Sequence, residues 1–161
     1  MGVDFSASVV VGIRLSDFCE VREVETTETR YNSRTGVPYE HKDSHKVVFI
    51  LGVEVPNLPL NPDEHEWDKL LGLSVFDCDD SYDKRESGSD LSLCVWGISV
   101  VGSDSHRSHD HQPLTVIQQA AIDRAIVTIQ NARTALRERL GVPELIDTAP
   151  VQLFLLANVS C

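Results

Sequence analysis

A polar loop after residue 103 gathers side chains that suit metal chemistry. Its HRSHDH stretch holds three histidines and one aspartate within six residues. Imidazole and carboxylate groups are the usual protein ligands of zinc and similar ions. Two interpretations fit the pattern: a solvated loop that precedes a helix, or a metal site, with zinc as the candidate ion. The metal ligands in the second interpretation are His106, His109, Asp110 and His111.

The wider sequence offers little support for catalysis. Ser108 stands where the H-x-H-x-D-H metal motif has its second histidine. The sequence contains no P-loop, GxGxxG, HExxH or GxSxG pattern. We therefore predict a non-catalytic protein, and a metal-dependent hydrolase that uses the His106–His111 loop is the enzyme alternative.

A second group of versatile side chains lies on a predicted polar β-hairpin arm at about residues 21–46. Asn32-Ser33-Arg34-Thr35-Gly36 is typical of a turn, and both flanking segments are rich in threonine, histidine and charge. Arginine can bind phosphate or carboxylate through two donors, and tyrosine can stack on a base. The arm is thus a candidate site for a small anionic ligand such as a nucleotide, although mixed charge also keeps exposed strands soluble. The ligand-binding candidates are Arg22, Arg30, Tyr31, Arg34, Tyr39, His41, Lys42 and His45.

The segment TRYNSRTGVPY (Thr29–Tyr39) resembles a turn in small uncharacterised bacteriophage proteins, in which a K/R-Y-[ND] element precedes T-G-x-P-Y. The resemblance implies a phage-type accessory or counter-defence protein. Such a protein would act by binding: it would block a host enzyme, imitate the charge of DNA or sequester a nucleotide signal. The implied location is the host cytoplasm.

The net charge of −11 is spread unevenly along the chain. Between Asp63 and Asp90 there are ten acidic and three basic residues, so 10 − 3 leaves seven of the eleven net charges in this stretch. Such a balance disfavours non-specific binding to nucleic acid or to an anionic membrane. It also provides the alternative function, in which the protein is an acidic inhibitor or DNA mimic that blocks a basic protein surface.

The cysteines and the apolar runs indicate where in the cell the protein is located. The four cysteines show no CxxC spacing, which is consistent with a reducing cytoplasm. The longest apolar runs are too short to span a bilayer, and no signal peptide is apparent, so we expect no membrane association. The length fits a single domain, residues 1–161.

Hydrophobic periodicity predicts an α+β fold. We expect a mostly antiparallel sheet of about five strands, with one long helix, at about 113–140, packed on a face. A short helix is expected at about 62–71, where Asn61 and Pro62 suit a helix start. The first half of the long helix is apolar or small almost all round, which favours burial on more than one side. We therefore predict a homo-oligomer.

Overall fold

The computed structural model describes residues 4–62, 65–77, 90–103, 119–143 and 149–160. Within these ranges the chain forms two antiparallel sheets and two α-helices. The elements are β1 (Asp4–Arg14), β2 (Cys19–Tyr31), β3 (Pro38–Ile50), β4 (Val53–Val55), α1 (His65–Leu71), β5 (Ser74–Asp77), β6 (Cys94–Ser103), α2 (Gln119–Leu140) and β7 (Gln152–Ser160). Short 3-10 turns at Leu15–Asp17 and Leu91–Leu93 follow β1 and precede β6.

The larger sheet has four strands in the order β5-β6-β1-β7. β1 is hydrogen-bonded on both sides, to β6 and to β7. Its run of β-branched residues is buried, as expected for a central strand: Val10, Val11 and Ile13 are at most 2% exposed. β5 and β6 form an antiparallel pair, and β7 returns the chain to the same sheet.

Two glycines allow β1 and β6 to approach closely. Gly12 and Gly97 are register partners in this pair. A methyl group added at Gly12 would lie 2.5 Å from the carbonyl oxygen of Trp96 and 2.7 Å from the side chain of Val95. A methyl group at Gly97 would lie 2.7 Å from the Cα atom of Gly12. The pair therefore has no room for a side chain at either position.

The smaller sheet has three strands in the order β2-β3-β4. Only the root of its long β2–β3 ladder is buried, through Cys19, Val48 and Ile50. These three side chains belong to the same apolar cluster as Val11 and Ile13 of the larger sheet. The two sheets therefore share one core.

The two helices complete that core. α2 packs against β1 and β6 through a stripe that includes Ala125, Ile129 and Leu136. In α1, Trp67 is fully buried and its indole Nε1 donates to the carbonyl oxygen of Pro59 at 2.8 Å. Arg139 of α2 donates to the carbonyl oxygens of Lys69 and Leu70, which ties the end of α1 to α2.

The α+β class predicted from the sequence is confirmed. The strands number seven in the described ranges and divide between two sheets, because the chain leaves the larger sheet after β1, at the 3-10 turn Leu15–Asp17, and returns to it only at β5. The helices match the expected ones, with residues 63, 64 and 113–118 outside the described residues. In the single chain Val127 of α2 is 56% exposed, so the predicted burial of this helix on a second side would require another subunit and stays a prediction. Within the described part of the chain, no helix is both long enough and apolar enough to cross a membrane.

We expect Gly12→Ala to destabilise the fold by about 3 kcal/mol or more, because the added methyl group would meet backbone atoms that cannot move without disturbing the β1–β6 ladder. Urea denaturation would measure the loss. Gly36→Ala is the comparison, since its Cβ atom meets nothing within 4 Å and its cost comes from the positive φ alone. Equal stability of Gly12→Ala and the wild type would contradict the close approach.

Candidate functional site

The outer part of the β2–β3 hairpin projects from the core as a two-stranded arm. We use the term arm for the nine cross-strand pairs from Glu23–Lys46 to Tyr31–Pro38. At about 3.3 Å per residue the arm extends roughly 30 Å. Every residue of these pairs is exposed except Val24 and His41, which are half-buried. The predicted polar hairpin is therefore present, and its side chains are available to a ligand or partner.

The register of the ladder assigns the side chains to two faces, because directly opposed residues of an antiparallel pair project to the same side. The arginine face, extended one pair inward, carries Arg22, Val24, Thr26, Glu28, Arg30, Tyr39, His41, Asp43, His45 and Val47. The lysine face carries Glu23, Glu25, Thr27, Thr29, Tyr31, Pro38, Glu40, Lys42, Ser44 and Lys46.

The outer half of the arginine face holds a compact polar and aromatic group. Arg30 lies directly opposite Tyr39, and Glu28 lies directly opposite His41. The rings of Tyr39 and His41 are 6.5 Å apart between centroids and nearly perpendicular. Arg30 donates from Nε and Nη2 to one carboxylate oxygen of Glu28, at 3.4 and 3.3 Å. Tyr39 remains 48% exposed, so its ring is accessible next to a guanidinium group.

The root of the arginine face is organised by Arg22. Its guanidinium carbon lies 4.4 Å from the centre of the Phe49 ring, and Nη2 contacts the carboxylate of Glu20. A cation over an aromatic ring and an ion pair both hold Arg22 along the strand. Arg22 is therefore engaged within the protein, whereas Arg30 has only the exposed contact with Glu28 among the bonds that the structure shows.

The turn at the tip forms as its sequence predicts. The Asn32 side-chain oxygen accepts from the backbone N–H groups of Arg34 and Thr35, at 2.9 and 3.2 Å. Gly36 adopts φ 67° and its N–H donates to the carbonyl oxygen of Asn32 at 2.8 Å. Tyr31 and Val37 flank the turn and are 69% and 58% exposed. The tip thus combines a fixed backbone with uncovered apolar surface.

The structure places five of the eight ligand-binding residues predicted from the sequence on one face of the arm. They share the arginine face, and they are Arg22, Arg30, Tyr39, His41 and His45. Tyr31 and Lys42 lie on the lysine face, and Arg34 lies in the turn. The eight residues therefore do not form one site. Arg22 lies eight residues from Arg30 along β2, roughly 26 Å away, so only Arg30, Tyr39 and His41 are close enough to contact the same small molecule.

The sequence analysis missed two residues that shape this face. Glu28 orients Arg30, and Phe49 supports Arg22. Both follow from strand periodicity, because residues two apart on a strand share a face and opposed residues share a side. The acid at Glu28, two positions before Arg30, was the available signal.

The other predicted sites fall largely outside the described residues. His106, His109, Asp110 and His111 all lie there, and so do Asp63, Glu64 and most of the acidic stretch between residues 78 and 89. In the ranges that the structure describes, no group of three or more histidine, cysteine, aspartate or glutamate side chains is placed to hold a metal ion. The metal site and the acidic surface therefore remain predictions.

A shallow cleft of about 260 Å³ lies at the root of the arm. Cys19 contributes to it, although this thiol is only 4% exposed and forms no disulfide. Burial raises the pKa of the Cys19 thiol well above its ordinary value. The thiol is therefore protonated at neutral pH and unsuited to nucleophilic attack. The lining residues are Ser16, Asp17, Phe18, Cys19, Glu20, Leu51 and Gly52.

Comparisons of the chain with protein-family models, with curated proteins and with solved structures find no match. The arm and its two faces are therefore the features of the described chain that bear on function.

We expect the arm to be unnecessary for folding. Replacement of Val24–His45 by Asn-Gly would close β2 and β3 with a two-residue turn directly beyond the Glu23–Lys46 pair. Because the removed residues are almost all exposed, the free energy of unfolding should change by less than about 1 kcal/mol. Urea denaturation would measure this change, and a loss of several kcal/mol would show that the arm is structural.

The buried thiol predicts a loss of stability in alkali. Between the ordinary thiol pKa and the raised pKa of Cys19, the unfolded chain releases a proton that the folded chain retains. Stability is therefore fully present below the ordinary value, and above it falls by about 1.4 kcal/mol per pH unit from this group. Denaturation of wild type and Cys19→Ala at pH 7 and pH 10 would isolate the effect. An identical pH dependence in both proteins would contradict it.

Proposed function

We propose that this protein is a non-catalytic binding protein, and that the outer half of the arginine face holds a small anionic ligand with a flat ring, such as a nucleotide. The observation that carries the proposal is the placement of Arg30 directly opposite an exposed Tyr39, with His41 beside it on the same face. These are a donor for anionic oxygens and a platform for a ring, within one cross-strand pair.

Each side chain has a definite role in this proposal. Stacking of a base on the Tyr39 ring contributes roughly 1–3 kcal/mol in sequence-tolerant nucleic-acid sites. The Arg30 guanidinium can bind a phosphate through two parallel N–H donors. Its ion pair with Glu28 joins two side chains that are 47% and 62% exposed, and exposed pairs of this kind are weak. A doubly charged phosphate can therefore displace the Glu28 carboxylate.

The shape of the face sets the expected affinity. The arm is a two-stranded ribbon, so a ligand on one of its faces is covered from one side, whereas typical small-molecule pockets enclose 70–90% of the ligand. We expect a dissociation constant of roughly 0.1–1 mM for a single arm, a range typical of one-sided contact. Tight sequestration requires a second covering surface, and the homo-oligomer predicted from the sequence would provide one.

The biological setting of this binding activity is also a proposal. Sequestration of a nucleotide signal is among the activities implied by the resemblance of Thr29–Tyr39 to phage accessory proteins. The two described cysteines, Cys19 and Cys94, are free thiols, which is consistent with a reducing cytoplasm such as that of a host cell.

Titration of the protein with adenosine and guanosine mono- and triphosphates, followed by calorimetry, tests the proposal. Arg30→Ala and Tyr39→Ala should each weaken binding at least tenfold, because each removes one of the two contacts with the ligand. Lys42→Ala is the matched control, because it removes one positive charge from the same arm, but from its lysine face. It should change affinity less than threefold.

Two results would overturn the proposal. The first is an absence of heat or chemical-shift change with every nucleotide up to about 5 mM, well above the expected dissociation constant. The second is an equal loss of affinity in Arg30→Ala and Lys42→Ala, because it would show general attraction of anions to the arm. Circular dichroism of each variant would establish that the fold is retained.

A further inference from the structure

The last strand of the chain forms an open edge of the larger sheet. β7 pairs with β1 from Gly12–Gln152 to Asp4–Ser160. Among the described residues, no strand pairs along its other edge. The N–H and C=O groups of alternate residues along this edge have no strand to pair with in the described part of the chain, and they are a template on which a further strand can add.

β7 lacks the features that usually protect such an edge. The sequence QLFLLANVS contains no charged residue and no proline. Leu153 and Leu155 share one face of the strand and are 54% and 72% exposed. The arm shows the opposite composition, with five acidic and five basic residues between Arg22 and Lys46. Charged side chains therefore protect the exposed hairpin from pairing with other strands, whereas β7 has no such protection.

The charge of the molecule identifies the partner that fits this edge. Two copies with a net charge of −11 repel each other over most of their surfaces, and an uncharged strand is a place where this repulsion is small. A strand without charge also has no means of selecting an oppositely charged protein. In a dimer with a two-fold axis, the same strand of both copies forms the interface, so β7 would lie against β7. Its apolar leucines can pack against the same leucines of the second copy.

We propose that β7 pairs antiparallel with β7 of a second copy, so that two four-stranded sheets join into one of eight strands. The register that covers the exposed leucines best places Phe154 opposite Phe154 of the second copy. Leu153 then lies opposite Leu155 of the second copy, and this contact occurs twice because of the symmetry. Backbone hydrogen bonds supply the pairing, and the leucine contacts fix its register.

The length of the open edge determines the affinity that we expect between the two copies. Stable specific interfaces bury about 800 Å² on each partner. In the proposed register only Gln152–Leu156 of the two β7 strands lie opposite each other, about 17 Å of strand with two exposed leucines from each copy, and this provides less than that unless other surfaces contribute. We therefore expect a reversible dimer with a dissociation constant of roughly 1–50 µM, the range of small interfaces.

Sedimentation velocity of the full chain from about 1 µM to about 300 µM, a span that brackets this constant, tests the proposal. The wild type should change from monomer to dimer across the series. Leu155→Glu should weaken association at least twentyfold, because two buried carboxylates would then lie near the axis. Val127→Glu is the matched control: it adds the same charge at an apolar residue of α2 that is 56% exposed, and it should leave the dimer intact.

A crosslinking experiment tests the register. In a Cys78→Ser, Cys161→Ser background, Phe154→Cys should oxidise to a covalent dimer, because directly opposed Cα atoms lie within disulfide range. Leu155→Cys should not, since residues two positions out of register are beyond about 7 Å. The reverse result would overturn the leucine pairing. A wild type that stays monomeric at every concentration, or a dimer that tolerates Leu155→Glu, would overturn the β7 interface itself.

Discussion

The burial of one end of the β2–β3 ladder is the constraint on which the arm depends. A two-stranded hairpin in water is marginally stable by itself. Here the same ladder begins in the core, where Cys19, Val48 and Ile50 pack with residues of the larger sheet. Hydrogen bonding then continues outward without interruption from a root that cannot separate unless the core opens. The arm is therefore stabilised by the core contacts of its root and not by its own polar residues.

The second constraint is register, because it decides which side chains share a face. A slip of one residue between β2 and β3 would move Tyr39 away from Arg30 and would exchange the two faces of one strand. Two features prevent such a slip. The buried apolar root accepts only one alternation, and the Asn32–Gly36 turn fixes the loop length at the other end. The arrangement of Arg30, Tyr39 and His41 is therefore a consequence of contacts at both ends of the ladder.

Local sequence patterns predicted the elements better than their assembly. The tip turn and the long helix follow from turn residues and periodicity, and both are present. The division into two sheets was not predictable, because only the short segment Leu15–Phe18 separates β1 from β2, and its residues would equally suit a turn between two strands of one sheet. The close contact between Gly12 and Gly97 was equally hidden, since it joins positions far apart in the chain.

The candidate site shows the same limit. Composition identified the arm and its eight candidate residues, but only the cross-strand register separates the five on the arginine face from Tyr31, Lys42 and Arg34. The arginines of α2 make further contacts that composition does not reveal: Arg133 donates to the carbonyl oxygen of Ala149 at 2.7 Å, and Arg139 donates to the carbonyl oxygen of Leu70 in α1. Such contacts between distant segments have no signature in a local pattern.

The alternation of the two faces limits how this arm can change in length during evolution. One residue inserted at matched positions of β2 and β3 keeps the ladder paired but turns every residue beyond the insertion to the opposite face. Two residues inserted in each strand restore the original faces. Related chains that keep the arrangement of Arg30 and Tyr39 relative to the root should therefore differ in hairpin length by steps of four residues.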